Sequence, residues 1–502
     1  MRNAMRRLFF TVLAVFAVTQ AAAQTLHIGL RQDPDLLDPT LGSSYVGRIV
    51  FSGLCDKLFD IDEKLNIVPQ LATGYEWKDA THLLIRIRPG VVFQDGEKLD
   101  AEAVKYKLTR DLTIKGSMRR GEISSIDTIE VIDPLTVLLT LHAPSSPLLA
   151  ALTDRAGIMI SPKAAEAEGD QFGLHPVCAG PFAFESRVAQ DKIVLKRFPG
   201  YWDAANIHFD EVVYEPNVNA TARLANLQAG ALDLVEYILP TDVAAVKRDP
   251  KLRIAITGSL AYDGITFNTG NGPAANTVIN QNKLVRHAFE LAIDRDALMQ
   301  VVYNNMHTST AQANPASSPY YVDALKPPTR DVAKAKALLA EAGVKLPVPV
   351  VLTITNETDI QQVGEVIQSM AREAGFDVKI KSMEFASSLQ AAYAGDFEAY
   401  LIGWSGRADP DGNLWQMLHT GGTFNYGHYS NAEVDKALDD ARTVASVEQR
   451  RAFYAKVWEH ERDDLPLIYL WAPANIVGLK ASITGFRQVP DGLIRLQGMA
   501  IQ

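Results

Sequence analysis

The sequence predicts an α/β protein with mixed sheets, large enough for two lobes or about three domains at the usual ~150 residues each. Three observations lead there. Strand-like and helix-like patterns interleave along the whole 502-residue chain. Composition is ordinary for a globular protein, with 47% hydrophobic and 22% charged residues, which excludes a disordered or collagen-like chain. No Pro/Gly/Ser-rich tether separates the segments, so domains should be joined by ordered crossings.

The elements follow in order. Thr25–Leu30 alternates like a half-buried strand. Ile85–Arg88 does the same until Pro89-Gly90 stops it, and Asp95-Gly96 reads as a hairpin turn. Asp100 can cap a helix that starts at Ala101 and runs toward Asp111. Thr136–Leu141, Ile193–Leu195 and Val212–Tyr214 are strand-like, with Pro144 and Pro147 breaking the chain after the first of these. Leu284, Ala288 and Ala292 share a helical face with Val285, Phe289 and Ile293. Val350–Thr355, Asp377–Met383 and Ala399–Trp404 are strands separated by helical stretches. Ser430 with Glu433, and Ser446 with Gln449, have the spacing of capping boxes opening two helices.

The N-terminus reads as an export signal. Arg2, Arg6 and Arg7 precede an apolar run from Leu8 to Val18, and Ala21-Ala22-Ala23 offers small residues for cleavage after Ala23. The run is too short for a permanent membrane span, which disfavours an anchor. Cleavage would remove three arginines and no acids from a chain whose formal net charge is already −10. A chain this acidic, without clustered cations, is a poor candidate for nucleic acid. With two cysteines only, Cys55 and Cys178, zinc sites of four thiolates and iron–sulfur clusters are disfavoured. In an oxidising compartment the pair can form a disulfide, and two buried free thiols are the alternative.

Catalytic motifs are missing. The sequence has no GxxxxGK[ST], no HExxH and no GxSxG, and its ten histidines include no HxH or HxxxH pair. Gly270-Asn271-Gly272 follows a strand-like run, but Pro273 and a polar stretch do not open a dinucleotide-binding helix there. Acidic pairs such as Asp439-Asp440 and Asp463-Asp464 fit solvated helix faces better than glycosidase carboxylates. An exported α/β chain without a catalytic constellation points to a binding protein and not an enzyme.

Several segments resemble one family in order. Leu37-Asp38-Pro39 resembles its early LDP. Asp56–Phe59, Pro69–Ala72 and Trp77 resemble its LLxxD…PxLAxxW, and Pro89–Gly96 its GVxFHDG turn. Ala179–Phe182, Lys196–Trp202, Arg223–Leu234, Phe267-Asn268, Ala292–Arg295 and Ala335–Gly343 follow at matching places. On these segments, spanning about residues 25–475, the chain resembles the extracellular solute-binding proteins of peptide/nickel ABC importers, family 5.

The resemblance implies a two-lobed periplasmic-binding-protein type II fold with an extra domain inserted in the first lobe. After a signal peptide at 1–23, the lobe I core would comprise 24–55, 179–262 and 476–502, the inserted domain 56–178 and lobe II 263–475. Cys55 and Cys178 then stand at the ends of the insertion, which favours a disulfide. Ligand would bind between the lobes, and the partners would be a small molecule or peptide and the permease subunits in the inner membrane, with no nucleic acid, no cofactor, no metal and a monomer as the expected state. Gly403–Asp411 resembles the stretch that enters the cleft. Where peptide-binding relatives place an Asp three residues after the tryptophan, here stands Arg407. It either meets an anionic group of the ligand or braces the loop against Asp409 or Asp411. Trp404, Tyr45 and Phe385 are candidate cleft walls, Asp409 is a further ligand-binding candidate, and Asn425, Tyr426 and His428 lie in a second candidate cleft loop. His419 or His428 could touch a metal chelate, although a structural role suits a histidine better. Short peptides lead the expected cargoes, ahead of opine-like or other anionic conjugates and metal chelates. An exported hydrolase and a ligand-presenting sensory module are the alternatives.

Overall fold

The computed structural model describes residues 24–502, so the export signal and its cleavage site lie outside the described residues. Two mixed sheets carry the architecture. The first has seven strands in the order Leu252–Gly258, Ala474–Lys480, Leu234–Val235, Thr25–Leu30, Glu211–Pro216, Lys192–Arg197, Phe182–Val188. The second has six, in the order Thr308–Ser309, Leu467–Ala472, Tyr262–Phe267, Ala399–Trp404, Val348–Thr355, Phe376–Met383. Each has its own apolar core, one around Leu26, Ile28, Val50 and Tyr214, the other around Ile265, Phe289, Leu352 and Ile468.

The chain passes between the sheets twice, at residues 259–261 and at Pro473. The Ser259 hydroxyl donates to the Pro473 carbonyl at 2.5 Å, so the two crossings are tied side by side. Pairing of Tyr262 with Trp404 puts Tyr262 in the second sheet, and pairing of Ala474 and Asn475 with Gly258 and Thr257 puts them in the first. Both switches therefore come slightly earlier in the chain than 262/263 and 475/476.

A third unit interrupts the first. Its antiparallel sheet runs Ala72–Trp77, His82–Ile87, Thr136–Leu141, Ile126–Asp133. The Ala101–Thr113 helix packs on it through Val104 and Leu108. Cys55 and Cys178 are joined where this unit begins and ends. Gln94 stitches the same junction, giving Nε2–H to Leu54 O at 2.7 Å and to Phe182 O at 2.8 Å while accepting from Cys178 N–H at 2.8 Å. Asp38 of the Leu37-Asp38-Pro39 turn accepts both ends of the Arg110 guanidinium at 3.0 and 2.7 Å, fixing the unit to the first sheet by a bidentate pair.

Helix caps fall near their expected places. Asp100 accepts from Ala103 N–H at 3.1 Å and Ser446 from Gln449 N–H at 3.5 Å. At the Ala432–Thr443 helix the cap is Asn431, which accepts from Glu433 and Val434, whereas the Ser430 hydroxyl meets Thr420. Either residue type can cap, and the one-residue shift leaves Asn431 holding both amides.

Candidate functional site

Both sheets turn the carboxyl ends of their parallel strands toward one cleft of about 1140 Å³. Arg31 follows the end of Thr25–Leu30, Glu236 follows Leu234–Val235, Glu357 comes just after Val348–Thr355, and Trp404 ends Ala399–Trp404. Carboxyl ends of strands in open α/β sheets are where loops diverge and leave a crevice. Pro473 and Ala474, at the crossing, also line it.

Two glycines make the wall possible. Gly403 pairs with Asp263, and a Cβ at Gly403 would lie 2.3 Å from the Asp263 carboxylate oxygen. Gly406 has φ +73°, and a Cβ there would lie 2.0 Å from the Leu260 carbonyl of the first crossing. The segment from Trp404 to Arg407 thus rests directly on the first crossing.

The charges at this end are mostly acidic. Arg31 Nε lies 3.2 Å from Glu236, which also accepts the Arg31 backbone N–H at 3.0 Å. The guanidinium is centred 4.6 Å from the Tyr237 ring and 5.7 Å from the Tyr45 ring. Glu357 accepts from the Gln32 amide and the Thr355 hydroxyl. Burial pushes the Glu357 carboxyl up to about 7, against those hydrogen bonds and with Asp359 adding to the rise. Burial likewise pushes Asp263 up to about 7; Arg31 opposes this, and Asp359 and Glu357 reinforce it. Among the described residues, neither Asp263 nor Glu357 forms an ion pair. Tyr237 completes this end, its hydroxyl 3.2 Å from His307 and donating to Asp359 at 3.3 Å. Burial pushes His307 down to about 4, so it stays neutral there.

Of the residues expected in the cleft, Trp404, Tyr45, Phe385 and Tyr426 line it. Trp404 donates its indole N–H to Asn413 at 3.1 Å and packs on Phe424 with ring centroids 5.0 Å apart. Tyr45 opens the Tyr45–Leu54 helix and donates to Gly492 O at 2.9 Å. Phe385 opens the Phe385–Tyr393 helix.

The other four lie elsewhere. Arg407 is not a cleft wall; its Nε sits 2.5 Å from Asp154 of the inserted unit. It braces neither Asp409 nor Asp411, since Asp409 pairs with Arg450 at 2.6 Å and Asp411 with Arg442 at 2.7 Å. Asn425 is a loop brace, donating to His419 O and Tyr429 O and accepting from Tyr429 N–H. His428 points to solvent from a left-handed backbone position with φ 52°. His419 stacks on Trp415 with centroids 4.2 Å apart, near Asp439. Among the described residues, no group of three or more His, Cys, Asp or Glu is placed to hold a metal ion.

Arg31, Glu236, Asp263 and Glu357 are absent from the sequence-based candidates. Each lies at or beside a strand end with no motif around it. The usable signal was positional for Arg31 and Glu236, each directly after an apolar run that ends in a parallel strand; Asp263, near the start of the antiparallel strand Tyr262–Phe267, carries no such signal.

Two sheets joined by two adjacent crossings around a cleft, with an inserted unit on the first, define a solute-binding protein of the type II periplasmic-binding fold. Residues 66–425 match the bacterial extracellular solute-binding proteins, family 5 middle, and the chain belongs to that family. It is similar to the glutathione-binding protein GsiB of Pectobacterium atrosepticum, 29% identical over 476 residues, covering 92% of this chain and 91% of that one. The solved binding protein AgaA of A. tumefaciens R10, in complex with agropinic acid, superposes with a TM-score of 0.86 at 27% identity, covering 95% of this chain and 99% of its own. The murein tripeptide-binding protein MppA of Escherichia coli shares the fold, with a TM-score of 0.88 at 21% identity and coverage of 96% and 99%. The protein is the solute-binding component of an ABC importer, works with permease components and is not an enzyme.

Proposed function

We propose that the protein captures a short peptide or peptide-like solute bearing an ammonium group, holds it between the two lobes in the periplasm, and releases it to its permease as a monomer. The observation that carries this reading is the pair of acids, half-buried Asp263 and buried Glu357, which line the cleft without an ion-pair partner while Arg31 is already matched by Glu236. An ammonium placed between them replaces lost hydration with two charge-assisted hydrogen bonds. The family's peptide binders supply an acid three residues after the tryptophan. In this chain Arg407 stands there, and Asp263 and Glu357 take over that charge from the strand ends. Tyr45, Tyr237, Phe385 and Trp404 provide apolar walls for the solute's body. Likeness to glutathione-binding proteins supports a peptide-like cargo with a free amine. The domain reading that goes with it takes 56–178 as a rigid extension of lobe I, and the lobes as two bodies closing about the paired crossings.

Isothermal titration with glutathione and with a panel of di- and tripeptides tests this. A binder should lose affinity when its α-amine is acetylated, and should raise the protein's apparent stability by about 2.7 kcal/mol at 100 times Kd. Equal affinity for free and N-acetylated forms would refute the ammonium reading.

A further inference from the structure

The chain joins the inserted unit to the first lobe only, where Cys55 and Cys178 meet, yet the unit is bonded to the second lobe at two places. The first is Asp154. Its Oδ1 lies 3.1 Å from Nε of Arg48, on the Tyr45–Leu54 helix of the first lobe, and its Oδ2 lies 2.5 Å from Nε of Arg407 in the second. Arg48 also gives an Nη1–H to the Ser405 hydroxyl of the second lobe at 3.1 Å. The other place is the end of the Ala432–Thr443 helix. The Arg442 carbonyl, in its last turn and out of reach of an intrahelical amide, accepts Ser146 N–H of the inserted unit at 2.9 Å. The Arg442 guanidinium, held by Asp411 at 2.7 and 2.8 Å, gives an N–H to the Gly121 carbonyl at 3.2 Å.

These bonds are buried, charged and independent of any solute. The side chains of Arg48, Asp154 and Arg407 are 4%, 7% and 12% exposed. Burial raises the Asp154 carboxyl, but Arg407, Arg48, Arg155 and Arg119 outweigh it and hold the group well below the carboxylate range. The bond to Arg407 is therefore one between full charges. None of Asp154, Arg48, Arg407 and Arg442 lines the cleft, so protein groups alone complete the fastening. Parting the lobes separates Asp154 from Arg407, Arg48 from Ser405 and Arg442 from Gly121. Charge-assisted bonds sheltered from water are the costly ones to break, so they bias the lobes toward closure before a solute enters.

We propose that Asp154 and Arg407, with Arg442 as a second fastening, form a latch by which the inserted unit holds the two lobes closed in the absence of solute. This rests on the reading of the lobes as two bodies that close about the crossings, and not on the nature of the solute. It gives the inserted unit a task of its own: gripping the lobe to which the chain does not join it. A latched protein must open to admit a solute, so the latch slows association. It also keeps the binding-competent form populated, so the solute need not supply the free energy of closing.

The test is small-angle X-ray scattering of the full mature chain, freed of carried solute by dialysis in denaturant and refolded, with glutathione as the solute probe. The ligand-free wild type should scatter as the closed structure does. Arg407→Gln cuts the cross-lobe bond and leaves Asp154 paired with Arg48, so with unaltered circular dichroism its radius of gyration should rise. A ligand-free wild type that scatters as an open form overturns the latch, whether or not the variant folds; if that form contracts with glutathione, the two-body reading survives. A folded Arg407→Gln that stays closed also overturns the latch. Profiles that no solute and no variant alters, Asp154→Asn included, overturn the two-body reading with it. Stopped-flow mixing with glutathione adds a readout that a lost solute contact would not give. Arg407→Gln should associate faster than wild type and release faster still, with an apparent Kd about tenfold higher as the closed fraction falls to about a tenth. A higher Kd with unchanged or slower association overturns the latch. If glutathione does not bind, the ligand-free scattering of wild type and variant decides.

Discussion

In the cleft, Asp263 and Glu357 are acids without an ion-pair partner; in a second cluster beside it, Arg48, Arg119 and Arg407 pair with Asp154 and Glu122, and Arg155 has no ion-pair partner among the described residues. The first end is built from strand termini of both sheets, and burial pushes its carboxyls up to about 7, with Arg31 and hydrogen bonds offsetting it only in part. The second is built across the lobe boundary, with Asp154 on the inserted unit and Arg407 on the second lobe. Its acid stays ionised because four arginines surround it. The difference teaches that burial, which raises every one of these carboxyls, is overturned only where cations are fixed beside the acid. It also separates two jobs. The acid end waits for charge from outside, while the Asp154 end already binds lobe to lobe.

The strongest way to break this contrast is to remove the acid that is already paired. Asp154→Ala leaves Arg48 and Arg407 buried without their partner and should cost about 3–5 kcal/mol of stability in urea denaturation. Asp263→Asn, by comparison, removes a carboxyl that has no ion-pair partner, and should leave the ligand-free protein as stable as before or more so. Similar losses from both substitutions would erase the distinction.

Binding should show the reverse order of sensitivity. Asp263→Asn and Glu357→Gln should each weaken an ammonium-bearing solute by about 2–3 kcal/mol, mostly as faster release, because each takes away a desolvated charge partner. Titration calorimetry with the solute found in the peptide panel measures this. If both variants bind it at full strength, the ammonium contact lies elsewhere.

The acid end also fixes a pH response. Asp263 and Glu357 have native values near 7, above those of unfolded carboxylates, so the native state holds more protons between about pH 4 and 7. Stability of the ligand-free protein is therefore fully present below that window and is lost as pH rises through it. Asp56, pushed up to about 7 by burial despite hydrogen bonds from Tyr201 and Trp202, adds a drift of the same sign. Affinity for an ammonium should move the other way, rising about eightfold from pH 6 to 7.5 for each carboxylate that must ionise. The double variant Asp263→Asn/Glu357→Gln should keep the Asp56 drift and lose the binding trend.

Much of this architecture was legible in the sequence, because alternation and capping are local. Thr25–Leu30, Thr136–Leu141 and Ala399–Trp404 form strands at the residues their patterns mark, and Asp100 caps its helix. The family segments placed Trp404 and Tyr45 near the cleft, and both line it. Where the sequence misled, the deciding partner was remote. Arg407 reads as a ligand contact or a local brace until Asp154, carried in by the inserted unit, is beside it. Asp263 and Glu357 read as ordinary acids because nothing local shows that the start of one strand and the end of another meet in one crevice. Ser430 and Asn431 are equally good caps by type, and backbone position alone selects Asn431.

The smallest expected effect falls on the residue between the two ends. Ser405 lines the cleft, and its hydroxyl accepts from Arg48 and Arg407. Ser405→Ala removes that acceptor from two guanidiniums that keep Asp154, so it should cost about 1 kcal/mol of stability. Arg407 would then hold Gly406 O as its remaining neutral acceptor, at 2.7 Å. If the two clusters act separately, this substitution leaves the pH midpoint of solute binding where it was. A moved midpoint would mean that Asp263 and Glu357 sense the arginines through the first crossing, where Gly406 packs against Leu260. The two clusters would then be one coupled site, with the charge of each end set partly by the other.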